Sequence, residues 1–244
     1  MDRRQTFQKT RSTRRGFLNK VVIVGAGVAT GSGVNMIGNG HADAAGTLTE
    51  DVATIANVTT TVETLAVTFY YTAITAATFH IDEASVACLA AMMDAEMQHL
   101  HMLRSLGGVA QHHHFYLPDH LLADARVFVH TGLTVEKTCA GMYLAATRQL
   151  AALGQPQLAA TAAQHAARHA QHLTLIGHIA GLPVHDLTMP ASAFSQVSGA
   201  VRTLGPFLAG GSGFNGPIRF PSAQRYQAAR AGSTAEHLQP AATQ

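Results

Sequence analysis

The chain contains no tryptophan, and only 6% of its 244 residues are aromatic. Aromatic residues favour strands, whereas alanine, in which this chain is rich, favours helices that pack closely. Charged residues are also scarce, at 12%, yet the chain has 15 histidines. The composition therefore predicts an all-α protein, and the histidines require an explanation.

An excess of basic charge is present only at the amino-terminal end. Residues 1–44 hold seven of the 16 Lys and Arg but two of the 14 Asp and Glu, so the remainder carries a net charge of −3. A mildly acidic protein offers no electrostatic basis for binding nucleic acid. We therefore expect no nucleic-acid partner.

The first 44 residues have the pattern of an export signal. The segment Arg14-Arg15-Gly16-Phe17-Leu18 resembles the twin-arginine signal, an uncharged run over residues 21–37 follows, and Ala42-Asp43-Ala44 offers small residues for cleavage. We expect residues 1–44 to engage the twin-arginine export machinery and to be removed, which predicts a periplasmic or extracellular protein. A retained anchor is the alternative, although the run is glycine-rich and weakly apolar for a stable span.

Apolar residues recur at helical spacing in four segments after the signal, over residues 48–78, 82–106, 121–153 and 157–179. The connection over residues 107–120 can extend to about 45 Å, and a bundle of such helices is roughly 35 Å long. It can therefore cross the bundle from end to end. The pattern predicts a four-helix bundle domain over residues 47–208 with one long crossover and a short carboxyl-terminal helix. The Gly- and Pro-rich residues 209–244 predict an irregular, disordered tail.

Each predicted helix offers acidic or imidazole groups that could converge. Glu96 and His99 are three residues apart, so both lie on one face of the second helix. Antiparallel helices joined by a tight turn place residues at one height when these are equally distant from the turn. Counted in this way, Glu63 is level with Glu96 and His99, and Glu136 is level with the fourth helix near His169. The fourth helix carries three candidates: His165, His169 and His172.

Taken together, these segments resemble the ferritin-like superfamily, and more narrowly its exported bacterial proteins of the desiccation-related type. The resemblance implies a four-helix bundle that binds two metal ions through one Glu from the first helix, one from the third, and a Glu-x-x-His pair from the second and the fourth. It assigns this role to Glu63, Glu96, His99, Glu136 and His169. It further implies iron as the metal, with manganese or zinc as alternatives, one or two ions in number, and allows a homo-oligomer.

One position departs from the family pattern. Ala166 stands three residues before His169, where the resemblance implies a glutamate. Three carboxylates neutralise two buried divalent ions less completely than four do. Two functions therefore remain open: an exported metal protein that oxidises ferrous iron or reacts with oxygen or peroxide at an incomplete dinuclear site, or a non-catalytic stress-related structural or interaction protein.

The other candidates have simpler interpretations. His165 and His172 share a stripe with His169 and are predicted to be solvated or structural, and Tyr70 and Tyr143 to pack in the core. Cys88 and Cys139 are separated by roughly 16 Å along the bundle axis at 1.5 Å per residue, so we expect no disulfide.

Overall fold

The computed structural model describes residues 50–182 and 193–235. Along the chain the elements are α1 (Val52–Ala76), α2 (Glu83–Ser105), β1 (His114–Pro118), α3 (Ala125–Ala152), α4 (Pro156–Ile179), α5 (Ser198–Thr203), α6 (Gly205–Ala209), β2 (Phe214–Arg219) and α7 (Ala223–Ala235). The four long helices confirm the predicted all-α fold, and their ends lie within a few residues of those predicted. The predicted export signal, residues 1–44, lies outside the described residues, as do residues 236–244 of the predicted tail.

Local sequence signals fix the ends of the long helices. Aspartate precedes the first turn of α1, α2 and α3, and its side chain accepts hydrogen bonds from backbone N–H groups that have no partner within the helix. Pro156 opens α4, where its missing N–H costs nothing. Gly107 and Gly154 follow α2 and α3 with φ angles of 88° and 70°, a conformation that favours glycine.

Helix α1 is buried on almost every side despite its many threonines. Six buried threonines each donate their hydroxyl to the carbonyl oxygen four residues earlier, at 2.6–2.8 Å: Thr59, Thr60, Thr61, Thr64, Thr68 and Thr72. These hydroxyls are satisfied inside the helix, so their burial does not leave polar groups unpaired. The helix is also long and apolar enough to cross a membrane, but most of it is buried in the bundle, as in the core helix of a soluble protein.

Two helical hairpins form the bundle. Helix α1 packs along α2, and α3 packs along α4, while further contacts join α1 to α3 and α2 to α4. The segment between α2 and α3 links the two hairpins, as predicted for the crossover. The core between them includes the fully buried Phe69, Tyr70, Phe128 and Tyr143.

The prediction of an irregular tail from residue 209 is wrong for the residues up to 235. Strand β2 pairs antiparallel with β1 in the crossover, with Phe115 opposite Ile218 and Leu117 opposite Asn215. Helix α7 then packs on α2, where Tyr226 donates to Asp94. The Gly and Pro residues mark the turns of this segment, and its few apolar side chains acquire their partners only from distant parts of the chain.

Candidate metal centre

Six side chains from the four long helices meet in the interior of the bundle. Five are those predicted from the sequence: Glu63 on α1, Glu96 and His99 on α2, Glu136 on α3, and His169 on α4. The sixth is His172, also on α4. His99 is 9% exposed and the other five are fully buried. Their ligand atoms form two overlapping clusters, and within each cluster all of these atoms lie within 4.8 Å of one another.

The first cluster joins α1, α2 and α4. It consists of Glu63, Glu96, His99 and His169. The Nδ1 atom of His99 lies 2.9 Å from Oε2 of Glu96 and 3.3 Å from Oε1 of Glu63. On the opposite side, Nε2 of His169 lies 3.3 Å from the same Glu63 oxygen.

The second cluster joins α2, α3 and α4. It consists of Glu96, Glu136, His169 and His172. The Nδ1 atom of His169 lies 2.7 Å from Oε2 of Glu136, and Nδ1 of His172 lies 2.6 Å from Oε1 of Glu96. Glu96 and His169 therefore belong to both clusters and lie between them.

The two halves of the site repeat the same spacing. Glu63 and Glu96 are 33 residues apart, as are Glu136 and His169, and a histidine follows three residues later in each case, at His99 and His172. His169 thus occupies the position that corresponds to Glu96.

Two tyrosines follow the same repeat. Tyr70 and Tyr143 each lie seven residues after the glutamate of their own helix. Each donates its hydroxyl to the glutamate of the other half, Tyr70 to Glu136 and Tyr143 to Glu63. Both pack in the core, as predicted, and both also hold a carboxylate of the site in place.

This register corrects the alignment of α4 made from the sequence. The pair on α4 that corresponds to Glu96 and His99 is His169 and His172, so Ala166, buried beside Leu144 and Ala170, is not at the position of Glu96. His172, predicted to be solvated or structural, is the sixth member of the site. The spacing of 33 residues that recurs in the two hairpins is the signal that could have identified it.

His165 lies at the edge of the site nearest to solvent. Its ring stacks on that of His99 with centroids 3.9 Å apart, and it is 8% exposed. Burial, together with the neighbouring His99, lowers the pKa of His165 to about 3, so this imidazole is neutral. His101, His112, His113, His114 and His120 are exposed, away from the clusters, and Cys88 and Cys139 are free thiols, as predicted.

Charge is balanced among the six groups. Burial raises the pKa of a carboxyl group and lowers that of an imidazole. In this site the nearby opposite charges outweigh the effect of burial on Glu136, His99 and His172. His172 and His169 hold the pKa of the buried Glu136 at about 2. In the opposite direction, Glu63 raises the pKa of buried His99, and Glu136 that of His172, each to about 9. The ion pairs of the three glutamates in the described part of the chain are all with histidines.

Several buried atoms of the site lack a hydrogen-bond partner among the described residues. These atoms are Oε2 of Glu63, Oε1 of Glu96 and both ring nitrogens of His172. Oε1 of Glu96 and Nδ1 of His172 nevertheless lie 2.6 Å apart as an ion pair, so Oε2 of Glu63 and Nε2 of His172 are the two of these atoms with neither a hydrogen bond nor an ion pair among the described residues. Ligand atoms at about 2.0–2.1 Å from one ion lie roughly 3.0–3.4 Å from each other, which is close to the spacing found here. The six residues therefore fit metal ions.

A four-helix bundle with buried carboxylates and imidazoles from all four helices defines the class of carboxylate bundles that can bind two metal ions. The profile of the ferritin-like domain family matches residues 51–181, which span the four long helices, and the chain belongs to this family. No curated protein and no solved structure matches the chain.

Proposed function

We propose that this protein binds two first-row transition-metal ions in the interior of the bundle. Glu63 and His99 hold one ion, Glu136 and His172 hold the other, and Glu96 and His169 lie between them. Two buried ligand atoms carry this proposal, Oε2 of Glu63 and Nε2 of His172, which have neither a hydrogen bond nor an ion pair among the described residues. An unpaired buried polar group is costly, and a bound metal ion satisfies it. Iron is the first candidate, and manganese and zinc are the others, since imidazole and carboxylate together suit these ions.

The reaction that best suits such a site is the oxidation of ferrous iron or a reaction with oxygen or peroxide. A bound metal pair supplies the redox chemistry, while the chain orients the ligands and limits the access of water. Tyr70 and Tyr143 fix the outer carboxylates through their hydroxyls. Access from solvent is expected past His99 and His165, which are 9% and 8% exposed, whereas Glu63, Glu96, Glu136, His169 and His172 are fully buried.

Metal analysis of protein purified without a histidine tag tests this function. We expect about two equivalents of iron after anaerobic loading with Fe²⁺ and dialysis, and oxygen consumption on exposure to air. His172→Ala is expected to lose at least one ion, whereas His178→Ala, at an exposed position of the same helix, should retain both. Less than one equivalent in the parent protein would contradict the proposal.

The second candidate is a stress-related structural or interaction protein without metal chemistry. It is favoured by the pairing of three carboxylates with imidazoles at 2.6–3.5 Å, which allows the cluster to remain folded in the absence of metal. This candidate predicts that no metal copurifies and that a chelator leaves Tm unchanged. A chelator that lowers Tm would exclude it.

Export is proposed on the pattern of residues 1–44. Fusion of this segment to a reporter that is exported only when folded should move the reporter out of the cytoplasm. Replacement of Arg14 and Arg15 by lysine should abolish this movement. Export that persists without the arginines would contradict the twin-arginine route but would leave the metal site untouched.

A further inference from the structure

The two ring nitrogens of His169 face different carboxylates on opposite sides of the site. Nδ1 lies 2.7 Å from Oε2 of Glu136 and 3.5 Å from Oε1 of Glu96. Nε2 lies 3.3 Å from Oε1 of Glu63. His169 is fully buried, so neither nitrogen is directed towards solvent.

The carboxylate on each side of the His169 ring also lies near a second histidine, His99 on one side and His172 on the other. The carboxylate near Nε2, Glu63, is 3.3 Å from Nδ1 of His99. The carboxylate near Nδ1, Glu136, is 3.5 Å from Nδ1 of His172 through its Oε1 atom. The ring of His169 therefore separates two sets of ligands, each with one carboxylate and one imidazole of its own.

We propose that His169 bridges the two metal ions as an imidazolate, with Nε2 bound to one ion and Nδ1 to the other. This inference rests on the proposed function. A neutral imidazole has a free lone pair on only one nitrogen. The surrounding carboxylates raise the pKa of His169, which is therefore an imidazolium with a proton on each nitrogen in the metal-free site. Binding at both nitrogens displaces both ring protons, and these leave to solvent as the two ions enter.

Charge supports the same arrangement. Three carboxylates supply three negative charges against the four positive charges of two divalent ions, and an uncompensated charge in a fully buried site is costly. An imidazolate supplies the fourth negative charge. His169 occupies the position that corresponds to Glu96, so the chain replaces a glutamate with another group that can carry one negative charge and bind on two sides.

The bridge predicts the spacing of the ions. Ions bound at about 2.0–2.1 Å from the two nitrogens of one imidazole ring lie at ~6 Å from each other, whereas ions in ordinary two-metal sites lie about 3.5–4 Å apart. Anomalous diffraction from crystals of the chain loaded with Zn²⁺ alone measures this distance directly. The expected result is two peaks at about 6 Å on either side of the His169 ring.

Variants provide a second measurement. His169→Glu should keep two ions and bring them to about 3.5–4 Å, since a carboxylate bridge is shorter, whereas His169→Ala should lose at least one ion. His130→Glu, at an exposed position on α3, is the matched control and should leave both ions and their spacing unchanged.

The outcomes separate this inference from the proposed function. Two ions about 3.5–4 Å apart in the parent protein, with His169 bound to one of them, would overturn the bridge and leave the two-metal function intact. A single interior ion would overturn both the bridge and the two-ion count. Absence of any interior ion would overturn the proposed function and the bridge together. The distance in the parent protein decides the matter even where a variant fails to fold.

Discussion

Replacement of Glu136 by glutamine should destabilise the metal-free protein strongly, although it hardly changes the volume of the side chain. Glu136 is fully buried and accepts a hydrogen bond from Tyr70. Its carboxylate also lies 2.7 Å from the ring of His169 and 3.5 Å from that of His172. Glutamine can still accept from Tyr70, but it removes the negative charge that faces two imidazolium ions.

The pKa of Glu136 gives the size of this effect. Although burial raises it, His172 and His169 bring it down from 4.5 to about 2. One pKa unit corresponds to about 1.4 kcal/mol, so the lowered pKa means that the folded protein stabilises the ionised Glu136 by about 3 kcal/mol. Loss of one member of a buried ion pair typically costs a similar amount, about 3–5 kcal/mol.

Urea denaturation in the presence of a chelator measures this loss. With an m-value of about 2 kcal/mol/M, the midpoint of Glu136→Gln should fall by about 1.5 M at pH 6. Gln164→Glu, the same isosteric change in reverse at an exposed position of α4, is the matched control and should change stability by less than about 0.5 kcal/mol. Equal midpoints for Glu136→Gln and the parent protein would refute the charge pairing.

The pH dependence follows from the same groups. The folded pKa of Glu136 is depressed, so its stabilising contribution is present above pH 4.5 and is lost as the pH falls towards 2. The folded pKa values of His99 and His172 are raised, so their contributions are present in full below pH 6.5 and are lost as the pH rises through about 9. The metal-free parent should therefore be most stable near pH 5–6, and the difference between Glu136→Gln and the parent should shrink above pH 9.

Three further effects are expected. Metal affinity should rise from pH 7 to 9, by up to about tenfold per pH unit for each proton displaced from His99 or His172. Competition with a chromophoric chelator at several pH values measures this affinity. An affinity that does not change with pH would contradict the assignment of these two histidines as ligands. Asp82→Ala removes the cap of α2 and should lower Tm by about 2–4 °C in thermal melts followed by circular dichroism. Tyr226→Phe removes the hydrogen bond to Asp94, so limited proteolysis should release α7 sooner than in the parent protein.

The sequence by itself determined the helices and most of the ligand set. Aspartate before a helix, proline at its start and glycine after its end act through local backbone geometry, so the four long helices could be placed from these signals. The fixed rise per residue then set the heights of Glu63, Glu96, Glu136 and His169 on either side of the two turns. Buried glutamates in apolar helices already required partners from elsewhere in the bundle.

Tertiary structure decided which histidines of α4 enter the site. His165, His169 and His172 share one stripe of that helix, and the rotation of α4 against α1, α2 and α3 determines which of them point inward. That rotation depends on side chains packed from three other helices, not on the helix itself. The pairing of β1 with β2 could also not be predicted from the sequence. The two strands are about 100 residues apart, and neither buries an apolar face until the other is in place.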